Sequence, residues 1–410
     1  MSYEIINQDC IKAMQEMPDG CVDAIVTDPP YGLAFMGVAW DTFNDGRKGG
    51  SRTNATFDQV GGNHHPTCAA DQARTRKSEN KKFQERMTPI FAEALRVAKP
   101  GAHLLCFGGT RTFHRMACAI EDAGWEIRDC IMWVTGQGFP KSMDVSKAIE
   151  KKHGADAAAQ WDGWGTCLKP AWEPIIVARK PLDGTVAHNV MTYGTGAINI
   201  DGCRVPTEDK LGGGMRAGGA DGVWDRPFMH DEKAQAEFVE RKKANVAKSE
   251  SLGRFPANLV HDGSQEVLEL FPEVAKSTKC RQARTPKRTD VYGLYSMEKK
   301  DSPMVGYEDG GTAARFFYCA KASKKDRGEG NDHPTVKPNA LMRWLVRLVC
   351  PQGGTVLDPF MGSGSTGVAC IQEGMRFVGI DMDEHYCEIA EKRIGAEPDT
   401  VFAENFSVIG

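Results

Sequence analysis

Apolar positions along this chain come in two periods, and the period changes at glycine and proline. Tyr3-Glu4-Ile5-Ile6-Asn7 predicts a strand ending near Asp9, Ile11 to Met17 has helical spacing, and Val22 to Val26 predicts a strand that stops at Asp28. Residues 33–83 are polar and glycine-rich, a pattern that predicts a mobile loop. Met87 to Val97 then predicts a helix stopped by Lys99-Pro100-Gly101, Ala102 to Phe107 a strand, and Arg111 to Ala123 a helix. Trp125 to Val134 and Glu173 to Ala178 alternate as two late, antiparallel strands. Residues 183–315 are rich in Gly, Pro and charge, with short apolar runs. Regular structure returns with a strand at Thr355 to Leu357, a helix at Ser365 to Glu373, a strand at Arg376 to Ile380 and a helix at Glu384 to Ile394. That last unit has two strands and cannot stand alone. The missing strands are those at the start of the chain, so both ends build one parallel sheet.

Two turns sit at strand ends, where α/β sheets bind ligands. One is Thr27-Asp28-Pro29-Pro30-Tyr31-Gly32; the other is Asp358-Pro359-Phe360-Met361-Gly362-Ser363-Gly364-Ser365-Thr366-Gly367. Asp381 closes the following strand about 20 residues beyond the first glycine, the spacing of a carboxylate that holds ribose hydroxyls. Taken alone, Gly362, Gly364 and Gly367 also fit a dinucleotide site. Asp358 favours a cationic ligand instead, because a pyrophosphate would be repelled.

With Asn7-Gln8-Asp9-Cys10, Leu95-Arg96-Val97-Ala98-Lys99-Pro100-Gly101 and His333-Pro334-Thr335-Val336-Lys337-Pro338, this order resembles the permuted (β-class) DNA amino-methyltransferases. The resemblance covers roughly residues 1–41, 84–180 and 316–410. It implies a Rossmann-like, doubly wound α/β sheet in circularly permuted order, with S-adenosylmethionine as cofactor. It divides the chain into a catalytic part at 1–182, a target-recognition domain at 183–315, and a cofactor-binding part at 316–410. On the cofactor it places Asp9, Cys10, Asp28, Thr335, Lys337, Asp358, Phe360, Gly362, Ser363, Gly364, Asp381 and Met382. Asp9 would meet the adenine amine, Asp381 the ribose, Asp358 the cationic methionine end, with Thr335 and Lys337 bordering that end. Acids at these positions also serve as helix caps or surface charges, and that alternative stays open here.

An exocyclic amine on a base is a poor nucleophile, because its lone pair is delocalised into the ring. Catalysis therefore needs acceptors for the amine's hydrogens and a methyl donor held in line. Asp28 supplies a carboxylate, the Pro29 carbonyl a second acceptor aimed by Pro30, and Tyr31 a ring to stack on a base that has left the duplex. Asp rather than Ser at position 28 favours adenine N6 in this family, with cytosine N4 the alternative. Cytosine C5 chemistry would use a Pro-Cys nucleophile, and the chain has no such dipeptide. A DNA-binding protein without catalysis is the reading from another class, and a dinucleotide-dependent oxidoreductase leaves the Asp28–Tyr31 turn unexplained. The turn itself reads only a splayed-out base, so RNA also stays open as a substrate.

Composition adjusts this picture in three places. The net charge of −4 gives no global attraction to nucleic acid, so DNA contact needs a local basic face. Lys276, Lys279, Arg281, Arg284, Lys287 and Arg288, with no acid between them, are the candidates, and they look like a loop that holds phosphates. Thirteen cysteines without a C-x-x-C pair read as reduced thiols, and His64-His65-Pro66-Thr67-Cys68 reads as a solvated loop, so no metal is expected. No run of about 18 apolar residues exists, so no membrane partner is expected, and the location expected is the cytoplasm of a bacterium or phage-infected host. Double-stranded DNA is the expected partner. The resemblance also admits a homodimer and a cognate restriction endonuclease.

Overall fold

The computed structural model describes residues 2–32, 69–136, 138, 142–209, 232–274, 284–288, 295–299, 311–321 and 323–398. The His64–Cys68 cluster and residues 33–68 of the expected loop lie outside them. Two compact units emerge: Met1–Gly202 with Asn258–Ser264 and Cys319–Gly410, and Cys203–Ala257 with Gln265–Tyr318.

The first unit opens with β1 (Tyr3–Asn7), α1 (Cys10–Glu16), β2 (Val22–Thr27), α2 (Ala69–Val97), β3 (Ala98–Phe107), α3 (Phe113–Asp122) and β4 (Glu126–Val134). It continues through α4 (Val145–His153), α5 (Ala155–Ala159), β5 (Trp172–Arg179) and α6 (Val186–Tyr193). In the second unit, α7 (Glu232–Leu252) precedes the short strand β6 (Leu259–His261), which belongs to the first; then come α8 (Gln265–Leu268), β7 (Glu273–Val274), β8 (Arg284–Arg288), β9 (Tyr295–Lys299) and β10 (Gly311–Thr312). After β11 (Tyr318–Cys319) the chain completes the first unit with α9 (Asn339–Val349), β12 (Thr355–Asp358), α10 (Ser365–Gln372), β13 (Arg376–Asp381) and α11 (Glu384–Gly395).

The main sheet runs β1-β13-β12-β2-β3-β5-β4-β6-β11. β1, β13, β12, β2 and β3 are mutually parallel, with Ile5 opposite Gly379 and Leu357 opposite Ile25. β5 is antiparallel to both β3 and β4. Strands from the two chain ends thus share one parallel sheet, and the late strands are antiparallel, as the sequence predicts. β12 leads onward to β13 on one side and β2 to β3 on the other. The loops leaving their carboxyl ends diverge, which opens a crevice at this switch in strand order.

Every residue of β2 is buried, as expected for a central strand covered on both faces. Its one acid, Asp23, is satisfied by Lys99 Nζ (2.5 Å) and the Thr355 backbone N–H (2.8 Å), which ties β2 to both neighbours. One face packs Met14 of α1, Met87 and Phe91 of α2, and Met116 and Ile120 of α3. The Trp125 indole closes that layer by donating to the Phe91 carbonyl (2.9 Å). α9 and α10 pack together, with Trp344, Leu345 and Leu348 of α9 and Ile371 of α10 buried.

Two expectations need correction. The helix expected from Met87 begins at Ala69. Residues 69–82 are good helix formers without a sustained apolar stripe, so periodicity starts only with the buried series Phe83, Met87, Phe91, Ala94. Residues 183–202 and 258–264, assigned from sequence to the recognition domain, lie in the first unit. Asn189 explains why for the first stretch: fully buried, it accepts from Asp183 N (2.9 Å) and donates to the carbonyls of Pro100 (2.9 Å) and Thr195 (2.7 Å). In the second unit, Arg254 and Arg315 share the Asp209 carboxylate, and each guanidinium lies 4.4 Å from the Phe316 ring centre.

Gly367 is where the glycine loop meets α11 and β13. A Cβ there would lie 2.3 Å from Ile394 Cδ1 and 2.7 Å from the Phe377 ring. Gly367→Ala is therefore expected to destabilise the protein by roughly 1–3 kcal/mol through overpacking. A urea denaturation midpoint equal to that of the parent would contradict this contact.

Candidate active site

The carboxyl ends of β1, β13, β12 and β2 open into one cavity of about 1900 Å³. Asp9, Asp381, Asp358 and Asp28 line it, one from beyond the end of each strand or at it. Pro29, Pro30, Tyr31, Cys10, Thr335, Lys337, Phe360, Gly362, Ser363 and Met382 line the same cavity, so folding brings together all but one of the catalytic and cofactor candidates singled out from sequence. Gly364 does not line it. Its φ of 80° starts α10, and a Cβ there would press on Ala390 at 2.9 Å.

On the glycine-loop side, Asp358 is 2% exposed and its oxygens are already engaged. They accept from Thr27 Oγ1 (2.7 Å), Thr366 Oγ1 (2.6 Å) and the Phe360 N–H (3.1 Å). Burial pushes its carboxyl up to about 7 from an ordinary 3.8, against the hydroxyl and amide donors that pull it down. Asp358 therefore holds the loop in shape, while Oδ2, with Thr366 as its one hydroxyl donor, keeps a lone pair. A carboxyl with a raised folded pKa contributes stability below about pH 4 and loses that contribution as pH rises through about 7. Asp358→Asn should lack this titration. Its Tm relative to the parent is expected to improve from pH 5 to pH 8; a difference independent of pH would contradict the assignment.

Ser363 Oγ accepts from Asn331 (3.1 Å) and Arg393 (3.0 Å), so this side chain also braces the loop. Gly362, with φ 50°, lets the backbone pass His333, whose Nε2 would lie 2.9 Å from a Cβ there. The Gly362 N–H donates to Asp381 Oδ2 (2.9 Å) and the Asp383 N–H to Asp381 Oδ1 (2.9 Å). Burial raises the Asp381 carboxyl and these two amides oppose it. Each Asp381 oxygen keeps a lone pair for a ligand hydroxyl. Asp9 caps α1 by accepting from Lys12 N (3.1 Å), and the adjacent Cys10 thiol is pushed up to about 12, first by burial and then by Asp9. Met382 is 71% exposed at the rim. Thr335 is tied through its backbone to His333, its carbonyl lying 2.8 Å from Nδ1.

Across the cavity, Asp28 stands in a charged cluster. Lys337 Nζ lies 2.8 Å from Asp28 Oδ2, 3.0 Å from Glu173 Oε2 and 3.3 Å from the Tyr31 hydroxyl, which uses all three of its donors. It also sits 4.7 Å from the Phe107 ring centre. The Tyr31 hydroxyl is 2.8 Å from Asp28 Oδ1 and 3.2 Å from Glu173 Oε2, and Thr112 Oγ1 donates to the Tyr31 carbonyl (2.8 Å). Burial alone would lower the Lys337 pKa, but the two carboxylates outweigh it and the ammonium stays charged. Lys337, expected at the methionine end of a donor, thus belongs to the Asp28 cluster. Glu173 was not anticipated: it is the second residue of the apolar strand β5, and its signal is a lone acid in Trp172-Glu173-Pro174-Ile175-Ile176.

Of the basic run, Lys276, Lys279 and Arg281 lie outside the described residues. Arg284, Lys287 and Arg288 sit on β8, paired antiparallel with β9, where the sequence pointed to a loop. Pro286 lies in that strand, and a two-stranded sheet offers the edge position that proline tolerates. No cluster of three or more His, Cys, Asp or Glu that could hold a metal occurs among the described residues. No described helix is long and apolar enough to cross a membrane.

A family model described as DNA methylase, of the N6/N4 type, matches residues 22–392. Type II methyltransferase M.HindIII of Haemophilus influenzae is 25% identical over 409 residues, 97% of each chain. Type II methyltransferase M2.DpnII of Streptococcus pneumoniae is 38% identical over 90 residues, 22% of this chain and 34% of that one. Among solved structures, the M1.HpyAVI–SAM complex aligns with 96% of this chain and 98% of that chain, at 15% identity and a TM-score of 0.40. With the match spanning both motif-bearing turns and everything between them, this chain belongs to the N6/N4 DNA methylase family.

Proposed function

We propose that this enzyme transfers a methyl group from S-adenosylmethionine to the N6 amine of adenine in double-stranded DNA, after the base has left the helix. The observation that carries the reading is the meeting of the Asp28–Tyr31 turn and the glycine loop in one cavity at the switch in strand order. Family membership removes the dinucleotide reading of the glycine loop and supplies the cofactor class.

The residues fit that cofactor. Asp381 keeps acceptor capacity for ribose hydroxyls, Gly362 gives close backbone approach, and Phe360 offers an apolar surface in the same cavity. When bound, S-adenosylmethionine supplies an electrophilic methyl on a positively charged sulfur. Asp28 and the Pro29 carbonyl accept hydrogen bonds from the two amine hydrogens, which localises the nitrogen lone pair towards that methyl. Tyr31, fixed at its hydroxyl and at its carbonyl, presents a preorganised ring to the base. Aspartate at position 28 favours adenine over cytosine. The Type II relatives fit a restriction–modification setting in bacterial cytoplasm, with a cognate endonuclease as partner and the second unit, including β8, as the DNA-recognition part; a second copy of the chain would share that task.

The test is transfer of labelled methyl from S-adenosylmethionine to unmodified DNA, followed by nucleoside analysis. Label in N6-methyladenine is expected. Label in N4-methylcytosine would replace adenine by cytosine, and donor binding without label in any base would leave only a DNA-binding role.

A further inference from the structure

β5 runs antiparallel to β3, so the residues that precede β5 arrive at the same end of the sheet as those that follow β3. Both groups line the cavity: Thr110 and Arg111 after β3, and Leu168, Lys169 and Pro170 before β5. The glycine loop follows β12, on the other side of β2. Asp28, at the end of β2, divides the cavity between these halves. With the donor in the glycine-loop half, the half left to a base at Asp28 is the one that residues 110–111 and 168–170 line.

Leu168 stands on that rim and is 91% exposed. A single exposed leucine is ordinary, but this one is held out on a braced segment. Ser142 Oγ accepts from the backbone N–H groups of Thr166 (2.9 Å) and Cys167 (3.4 Å), and the Met143 N–H donates to Thr166 Oγ1 (3.0 Å). On the other flank the Ala171 carbonyl accepts from Thr135 N (2.9 Å). Gly138 packs so closely that a Cβ there would lie 1.6 Å from the Pro170 carbonyl oxygen. Leu168 is therefore an apolar side chain fixed on both flanks and presented to solvent beside the opening. Its neighbours on the rim, Arg111 and Lys169, are exposed cations.

Extruding a base costs a few kcal/mol in lost stacking and pairing. An apolar side chain that takes the vacated place recovers part of that cost. We propose that Leu168 enters the base stack of duplex DNA where the target nucleotide has left, with Arg111 and Lys169 holding the flanking phosphates. This rests on the amine-methylation reading above and adds to it the residue that keeps the duplex open.

The experiment uses the full-length enzyme and a synthetic duplex carrying the site found by mapping wild-type modification. The target base is either correctly paired or mispaired, since a mispaired base costs less to extrude. Leu168→Ala is expected to lower kcat/KM on the paired duplex about tenfold or more, to leave the donor KM within about twofold, and to come within about threefold of wild type on the mispaired duplex. Undiminished activity of Leu168→Ala on the paired duplex, or an equal loss on both duplexes, would overturn the assignment. Failure of the wild type to methylate any DNA would instead remove the reading on which it rests.

Discussion

Replacing Asp28 by alanine is expected to lower kcat for methyl transfer by about 10²–10⁴-fold, the range of a positioned proton acceptor, with donor affinity within about threefold of wild type. The separation follows from the architecture. Asp28 lies at the end of β2 and pairs with Lys337 and Tyr31, whereas the loop that would hold the donor is built by Asp358 at the end of β12, Gly362 after it and Asp381 at the end of β13. Interactions made only as the transition state forms appear in kcat and not in ground-state binding. A labelled-methyl assay gives kcat and calorimetry gives donor affinity. Near-normal turnover would disprove the role of Asp28, and joint loss of both quantities would mean that the substitution had deformed the site.

The second large effect is expected at Glu173. Lys337 is one ammonium between two carboxylates, so the cluster carries a net negative charge beside the proposed amine site. Glu173→Gln removes one charge and leaves Lys337 to Asp28 alone. Asp28 then becomes a poorer acceptor, because the Lys337 ammonium is no longer shared between two carboxylates. The charged hydrogen bonds involved are worth about 1.5–3 kcal/mol, so kcat should fall by roughly 10–150-fold. Glu173 acts through Lys337 and Asp28, which makes it a positioning residue. Glu173→Asp should recover part of the loss, and donor KM should stay unchanged in both variants. A stability loss with intact kcat would reduce Glu173 to packing.

The glycine-loop half of the cavity was legible because its signals are local. The strand, the glycine turn and Asp381 follow one another within β12, α10 and β13, and each glycine answers to a contact found in the fold, such as Gly362 against His333 and Gly367 against Phe377. The alternation of β4 and β5 is a local signal of the same kind, whereas the joining of β1 and β2 to the C-terminal strands was legible because a two-stranded C-terminal unit needs partners and the order of motifs resembles a permuted family. The acceptor half was legible only in part. Asp28 and Tyr31 lie in one turn, but Lys337 and Glu173 reach them from 309 and 145 residues away along the chain, respectively, and nothing in either local pattern states the pairing. For Asp358 and Ser363 the sequence shows a side chain's chemistry and not its partners within the fold: Thr27 and Thr366 hold one, Asn331 and Arg393 the other. α2 was cut short where its apolar stripe gives out, and α6 went unread because its anchor is the buried amide of Asn189, a polar residue that periodicity ignores.

The central claim is that one cavity joins a methyl donor to a base amine through Asp28. Its most direct test is long-read modification mapping of DNA from cells that express the wild type or Asp28→Ala, in a host without other adenine methylation. N6-methyladenine in a defined sequence context with the wild type, and its absence with Asp28→Ala, is the predicted result. No modified base with the wild type, or the same modification with both proteins, would contradict it.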